Sequence, residues 1–384
     1  MPADADEPLA LVHRGWEHLR LQRPLAAWAC WQQALRLDPG REAARQALDV
    51  LAHAVELPAA ARASYRFRGP TGEGRRARWD AVLRDRDLSV LVEAAAAFEG
   101  LADADADDDA ARFNLALCRA WLGQNMEAIA TLDEFVNLSA GTDAESAVSA
   151  WMLAEVLRHG AGAEAWADDF DYRLSTPWRA EDGDPTALTT PPALIRPLAN
   201  PLDPALAGQA GAGVFEWIEP PRAEGPLPRV LATLVLGPGT LRLSTPDPDH
   251  LPTLRAALEA LGRPVEPTRA PLPLRLLDAA AWTFRFPTGL DDADRPRLAM
   301  EAIASYYEER WIQHPRTGLG GRPFDAAVGD AADRARLEAV IRVREQLASR
   351  PRFAPLAGGY DFDRLRRRLG LIAEDPQTDP EDRP

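Results

Sequence analysis

A repeat of about one helical hairpin constrains this chain more than any other feature. Small residues recur at Ala27, Ala61, Ala94 and Ala128, and larger ones four positions later at Trp31, Tyr65, Phe98 and Leu132, so both columns step by 34, 33 and 34 residues. Two columns that hold one period mark supersecondary units that bury their apolar faces by stacking on one another. In such a unit the small residue lets two helices approach, and the large side chain fills the space between them.

The opening unit carries Gly15, Ala27, Trp31, Ala34 and the run Leu35-Arg36-Leu37-Asp38-Pro39. Pro39 ends its second helix because the ring cannot follow in an uninterrupted turn. The segment Phe113 to Gly123, followed by Glu127-Ala128-Ile129, has the same grammar. On these residues the chain resembles the tetratricopeptide repeat (TPR) family, closely over 8–41 and 109–137 and in degenerate form between them. Pro58 and the stretch Arg68-Gly69-Pro70-Thr71-Gly72-Glu73-Gly74-Arg75-Arg76 interrupt the middle unit, and Ala144 to Leu157 is expected to continue or cap the array. The resemblance implies a binding groove lined by the first helix of each hairpin. It places partner-binding positions at Val12, Trp16, Leu19 and Arg20 in one clear unit and at Phe113, Leu117, Ala120 and Trp121 in the other. Packing between repeats is the alternative role for Trp16, Phe113 and Trp121.

Composition removes several chemistries. All 44 basic residues are Arg, against 59 acidic ones, for a net charge of −15. Without Lys there is no Schiff-base lysine, no P-loop lysine and no Ser–Lys dyad. The acidic surface disfavours non-specific nucleic-acid binding. No apolar run approaches the roughly 18–20 residues of a spanning helix, and Met1 to Glu7 is acidic where a signal peptide is basic, so a cytoplasmic location is expected. Cys30 and Cys118 lie in amphipathic helical patterns and read as small hydrophobes, with no disulfide framework or Cys-rich zinc site to join.

From Pro177 to Pro228 eleven prolines and the cluster Gly208, Gly211 and Gly213 read as a linker, with Val214-Phe215-Glu216-Trp217-Ile218 as an anchoring segment. No strand precedes those glycines, so they are not a dinucleotide fingerprint. Arg229 to Leu236 and Thr240 to Thr245, joined by Gly237-Pro238-Gly239, predict a β-hairpin. A helix over Leu254 to Leu261 and a further strand over Trp282-Thr283-Phe284-Arg285-Phe286 complete a small α/β unit.

Asp294 to Arg310 is helix-like and leads into Trp311, Pro315, Leu319-Gly320-Gly321, Pro323, Ala326-Ala327 and Arg336-Leu337-Glu338. This spacing resembles a segment of about 45 residues in the toxin-binding region of Xre-type antitoxins, also found beside repeats in bacterial SEC-C proteins. The chain departs from both, having no evident helix-turn-helix upstream and too few Cys for a SEC-C metal site. The resemblance implies a second partner-binding position at Trp311, Leu319, Gly320, Gly321 and Pro323; the open alternative is that these residues pack the chain on itself. Ten Arg against four acidic residues make 334–368 a basic segment, which suits an acidic partner, the chain's own acidic array or a solvated helix face. The tail from Glu374 is rich in Pro and Asp and reads as disordered.

No motif carries catalysis. His13, His18, His53, His159, His250 and His314 form no metal-binding spacing, and no Gly-x-Ser-x-Gly elbow exists. Asp103, Asp105, Asp107, Asp108 and Asp109 imitate a calcium loop but lack its Gly and bidentate Glu, and read as a loop that caps the next helix. The expected architecture is therefore mainly α: a TPR-like helical-hairpin array over 8–175, a proline-rich linker over 176–213, a small α/β unit over 214–290, a helical C-terminal module over 291–372 and a tail over 373–384. The expected function is a non-enzymatic adaptor that binds a protein or peptide through the groove, without cofactor or metal. The alternatives are an antitoxin-like regulator that neutralises a partner, and an enzyme whose site forms between domains from convergent His or carboxylates.

Overall fold

The first hairpin shows how the small and large columns work. Helix α1 (Glu7–Arg20) and helix α2 (Pro24–Leu37) pack where Gly15 has no side chain, since a Cβ there would lie 2.1 Å from Nε1 of Trp31. That Nε1 instead donates to the carbonyl of Val12 at 3.2 Å. Pro24 opens α2 at a position where its missing N–H has no intrahelical use.

The structure is a computed structural model that describes residues 7–183, 185–189, 193–198, 213–221, 227–277, 284–351 and 359–373. The helical part continues with α3 (Glu42–Ala52), α4 (Ala59–Arg62), α5 (Glu73–Leu83), α6 (Leu91–Ala104), α7 (Asp109–Trp121), α8 (Asn125–Ser139) and α9 (Ala144–Leu157). Helices α6 to α9 pack in sequence, each on the next, while α2 packs on α3 and on α7. Trp28 of α2 stacks on Trp121 of α7 with ring centroids 5.9 Å apart. The acidic run acts as a cap: Asp108 accepts from the backbone N of Ala111 at 3.0 Å and from Nε1 of Trp79 at 2.8 Å. Asp105 accepts from Arg75 and Arg78 at 3.0 and 3.1 Å.

Six antiparallel strands form one sheet in the order β2-β3-β4-β5-β1-β6. These are β1 (Phe170–Pro177), β2 (Leu194–Pro197), β3 (Gly213–Glu219), β4 (Arg229–Gly237), β5 (Thr240–Thr245) and β6 (Glu266–Pro271). Helix α10 (Leu251–Glu259) covers one face, burying Leu254 and Leu258 with Leu174, Trp217, Leu234 and Leu243. The edge strand β6 is blunted. Its register and the bond from the N of Leu272 to the O of Asp169 turn residues 267, 269 and 271 outward, and two of these are Pro267 and Pro271, which have no N–H to offer a further strand.

The sheet departs from the expected division of the chain. β1 crosses the expected boundary between 175 and 176, and β2 lies inside the expected linker. Leu174 and Thr176 of β1 are buried and pair with Leu243 and Leu241 of β5, a match some 70 residues away that leaves no local mark in the sequence. The predicted β4–β5 hairpin is present, with Gly239 at φ +75° in its turn. Of the strand expected over 282–286, Phe284 forms an isolated bridge with Arg229, while Trp282 and Thr283 lie outside the described residues, as do Gly208, Gly211 and the tail from Glu374.

The C-terminal part begins with α11 (Arg295–Ser305), which runs on as a π-helical turn over Tyr306–Arg310. It ends with α12 (Ala331–Ala348), laid against α9, and α13 (Phe362–Arg368). Among the described residues no helix is long and apolar enough to cross a membrane. The chain is thus mainly α, with one antiparallel sheet among the described residues.

Glycine substitutions test this packing directly. Gly15→Ala should destabilise the protein by about 1–3 kcal/mol through overpacking against Trp31. Gly100→Ala, mid-helix in α6 with open space around it, should stabilise it by about 0.5–1 kcal/mol. Denaturant titrations of both variants against the parent chain check the opposite signs.

Candidate functional site

The eight positions expected to line a groove do not share one open surface. On α1, Val12 is buried, Leu19 is half-buried against the same apolar cluster, and Arg20 is exposed and paired with Glu17 at 2.9 Å. Trp16 is 42% exposed and tilts against Trp31 with centroids 5.0 Å apart. On α7, Phe113, Leu117 and Ala120 are buried among residues of α8 and α9. Phe113 meets Phe135 at 5.3 Å, and the guanidinium of Arg68 covers both rings at 4.0 and 4.8 Å. Of the eight positions taken from the TPR resemblance, Val12, Phe113, Leu117 and Ala120 are thus buried, while Trp16 and Arg20 are exposed.

An open groove of about 350 Å³ does lie beside them, between the α1–α2 hairpin and the facing ends of α6 and α7. Leu11, Arg14 and His18 line it from α1, Cys30, Gln33 and Arg36 from α2, and Val90, Leu91, Val92 and Trp121 from the other wall. Of the expected positions only Trp121 reaches it. The α1 residues that do so sit at i, i+3 and i+7, one helical face away from Val12, Trp16 and Leu19. Spacing of polar residues on that second face is the signal that would have found them. Arg14 and Arg36 make the wall cationic, and burial lowers the pKa of His18, with Arg23 and Arg14 lowering it further. Burial raises the pKa of the Cys30 thiol against the pull of Arg14.

The C-terminal motif is folded inward. Trp311, Leu319 and Phe324 are buried, and Gly320 and Gly321 take φ of +64° and +78°, a left-handed turn that suits glycine. Pro323 is half-buried and starts the turn at Phe324. A Cβ on Gly318 would lie 2.2 Å from the ring of Trp151 in α9. The motif is held by two adjacent carboxylates that follow the array. Asp168 accepts from the backbone N and hydroxyl of Thr317 at 2.8 and 2.7 Å, and from Arg158 at 2.5 Å. Asp169 accepts from Arg344 at 2.6 Å and Arg316 at 3.2 Å. The Arg316 guanidinium in turn lies 5.1 Å over the rings of both Trp311 and Phe324. Neither carboxylate is distinguished in the sequence, because Thr317, Arg316 and Arg344 lie about 150–175 residues on, and only Arg158, ten residues before Asp168, is near.

A narrower cleft of about 200 Å³ opens at this junction, lined by Asp168, Asp169, Tyr172, Asp247, Tyr306, His314 and Arg344 among others. Burial favours the protonated form of Asp169, but Arg344 and Arg316 outweigh it and hold its pKa well below the usual carboxylate range. Burial, then Arg316, lowers the pKa of His314, so the ring is neutral at pH 7. Asp247 is bound to Arg310 and caps the backbone N of Asp249 at 3.0 Å. Every carboxylate here already holds a guanidinium, an arrangement that fixes the chain rather than supplying a free acid or base. Among the described residues no group of three or more His, Cys, Asp or Glu is placed to hold a metal ion.

His159 beside this junction gives a pH test. Its Nδ1 donates to the carbonyl of Leu272 at 2.7 Å, and burial pushes its pKa down to about 4. A depressed histidine resists protonation when folded, so its contribution falls as pH drops from the unfolded value of about 6.5 towards 4, by about 3 kcal/mol in all. His159→Asn, which keeps a donor for Leu272, should flatten the stability profile over that window in urea titrations; an unchanged slope would contradict the assignment.

No family model, no curated protein and no solved structure matches this chain.

Proposed function

We propose that the protein is a non-enzymatic adaptor, a degenerate TPR-like array that holds a protein or peptide segment in the groove between α1–α2 and α6–α7. The repeat reading is supported by where its columns fall. Ala27, Ala61, Ala94 and Ala128 lie in α2, α4, α6 and α8, the second helices of four successive pairs, and all are buried, as are Trp31, Phe98 and Leu132. Tyr65 follows the four-residue helix α4 in an extended segment, and its hydroxyl bonds back to the carbonyl of Ala60 at 2.9 Å, which fits a collapsed middle unit.

The observation that carries the functional reading is the groove itself, whose floor and rim leave Val90 and Val92 exposed next to Trp121. Exposed apolar side chains beside an open concavity suit a partner that buries them. The antitoxin-like alternative has less support because Trp311 and Leu319 are sealed inside, and the enzyme alternative because the carboxylates of the cleft are bound to arginines. A cytoplasmic location belongs to the same reading.

The test uses the full chain, since α12 packs on α9 and the array is not a separable piece. Val92→Glu and Gln33→Glu put charge into the groove at positions that the core does not use. Partners retained by the parent protein from its native cytosol should be lost at least about tenfold by the double variant. Equal retention would move the binding surface elsewhere.

A further inference from the structure

We infer that the groove takes an acidic segment of a partner protein, one that sets an apolar side chain on Trp121 and carboxylates against Arg14 and Arg36. This rests on the groove reading and adds the chemistry of its occupant.

The argument is charge complementarity inside a protein of net charge −15. Arginines on neighbouring α7 are matched with acids: Arg112 pairs with Glu134 at 3.1 Å and Arg119 with Glu99 at 2.7 Å. Arg14 is different. Among the described residues its exposed guanidinium makes no hydrogen bond or ion pair. Arg36 on the facing helix makes one long bond, to the backbone carbonyl of Ser89 at 3.4 Å. The carboxylate within its field, Asp87, already accepts from the backbone N of Ser89 at 2.8 Å. Among the described residues no Asp or Glu lines the groove, and the buried Nδ1 of His18 has no partner.

Two guanidiniums on separate helices therefore flank an apolar floor, and among the described residues no carboxylate lines it. A basic or neutral segment would leave this field unanswered, and a basic one would meet like charge. A segment with carboxylates on either side of a Leu or Phe answers both the charge and the floor. In a protein of net charge −15, Arg14 and Arg36 make this groove a locally cationic face towards which an acidic segment is drawn.

The experiment is fluorescence anisotropy on the full chain with two labelled probes, Glu-Glu-Leu-Phe-Glu-Glu and its Gln-Gln-Leu-Phe-Gln-Gln counterpart, at about 0.05 M and about 0.5 M salt. The acidic probe should bind at least about tenfold tighter at low salt and lose most of that advantage at high salt. Arg14→Gln with Arg36→Gln, both exposed and outside the core, should bring the acidic probe down to the level of the neutral one. Equal binding of the two probes to the parent protein overturns the acidic occupant and leaves the groove reading standing. Absence of binding by either probe overturns both. Tight acidic binding that survives the double Arg variant places the acid-binding surface outside this groove.

Discussion

Two neighbouring carboxylates hold the parts of this chain together. Asp168 and Asp169 stand between helix α9 and the first strand β1, and between them they bind Arg158, Arg316, Arg344 and Thr317. Each arginine comes from a different place: the C-terminal cap of α9, the C-terminal motif and α12. Buried charges of this kind are costly to desolvate, and removing one partner strands the others, at about 3–5 kcal/mol. The same contacts that join the array to the C-terminal helices also fix where the sheet begins, because the backbone of Asp169 already pairs with Leu272 beyond β6.

This arrangement decides what the Trp–Leu-Gly-Gly–Pro segment does. Its glycines make the turn, Gly318 leaves space for Trp151, and the Arg316 guanidinium lies 5.1 Å from the ring centroids of Trp311 and Phe324, so an indole and a phenyl ring are buried beside a paired cation. With the motif committed to packing, Trp311 and Leu319 offer no open surface. The basic character of 334–368 is likewise absorbed within the chain: Arg336 binds Asp133, Arg342 binds Glu145 and Arg366 binds Glu338 and Glu345.

What the sequence disclosed was what is local. A small residue and a large one four positions later lie one turn apart on a helix, so Ala27 with Trp31 and Ala94 with Phe98 were legible as buried pairs. The β4–β5 hairpin was legible because its Gly-Pro-Gly turn sits between two branched apolar runs. β1 and β2 were not, since strand pairing between Tyr172 and Thr245 or between Ile195 and Trp217 spans too much chain to leave a pattern. The groove was missed by one helical face: the apolar stripe of α1 is the side that packs, and the polar stripe beside it lines the opening. The carboxylate pair was hidden for the same reason as the strands.

The most direct test of this account is amide hydrogen exchange on the full chain with Asp169→Asn, compared with the parent protein at pH 7. Losing the charge that Arg344 and Arg316 share should speed exchange in residues 311–327, in α12 and in β1, while α1 to α3 keep their protection. Unchanged protection at the motif and at α12 would contradict the claim that the carboxylate pair holds the molecule together.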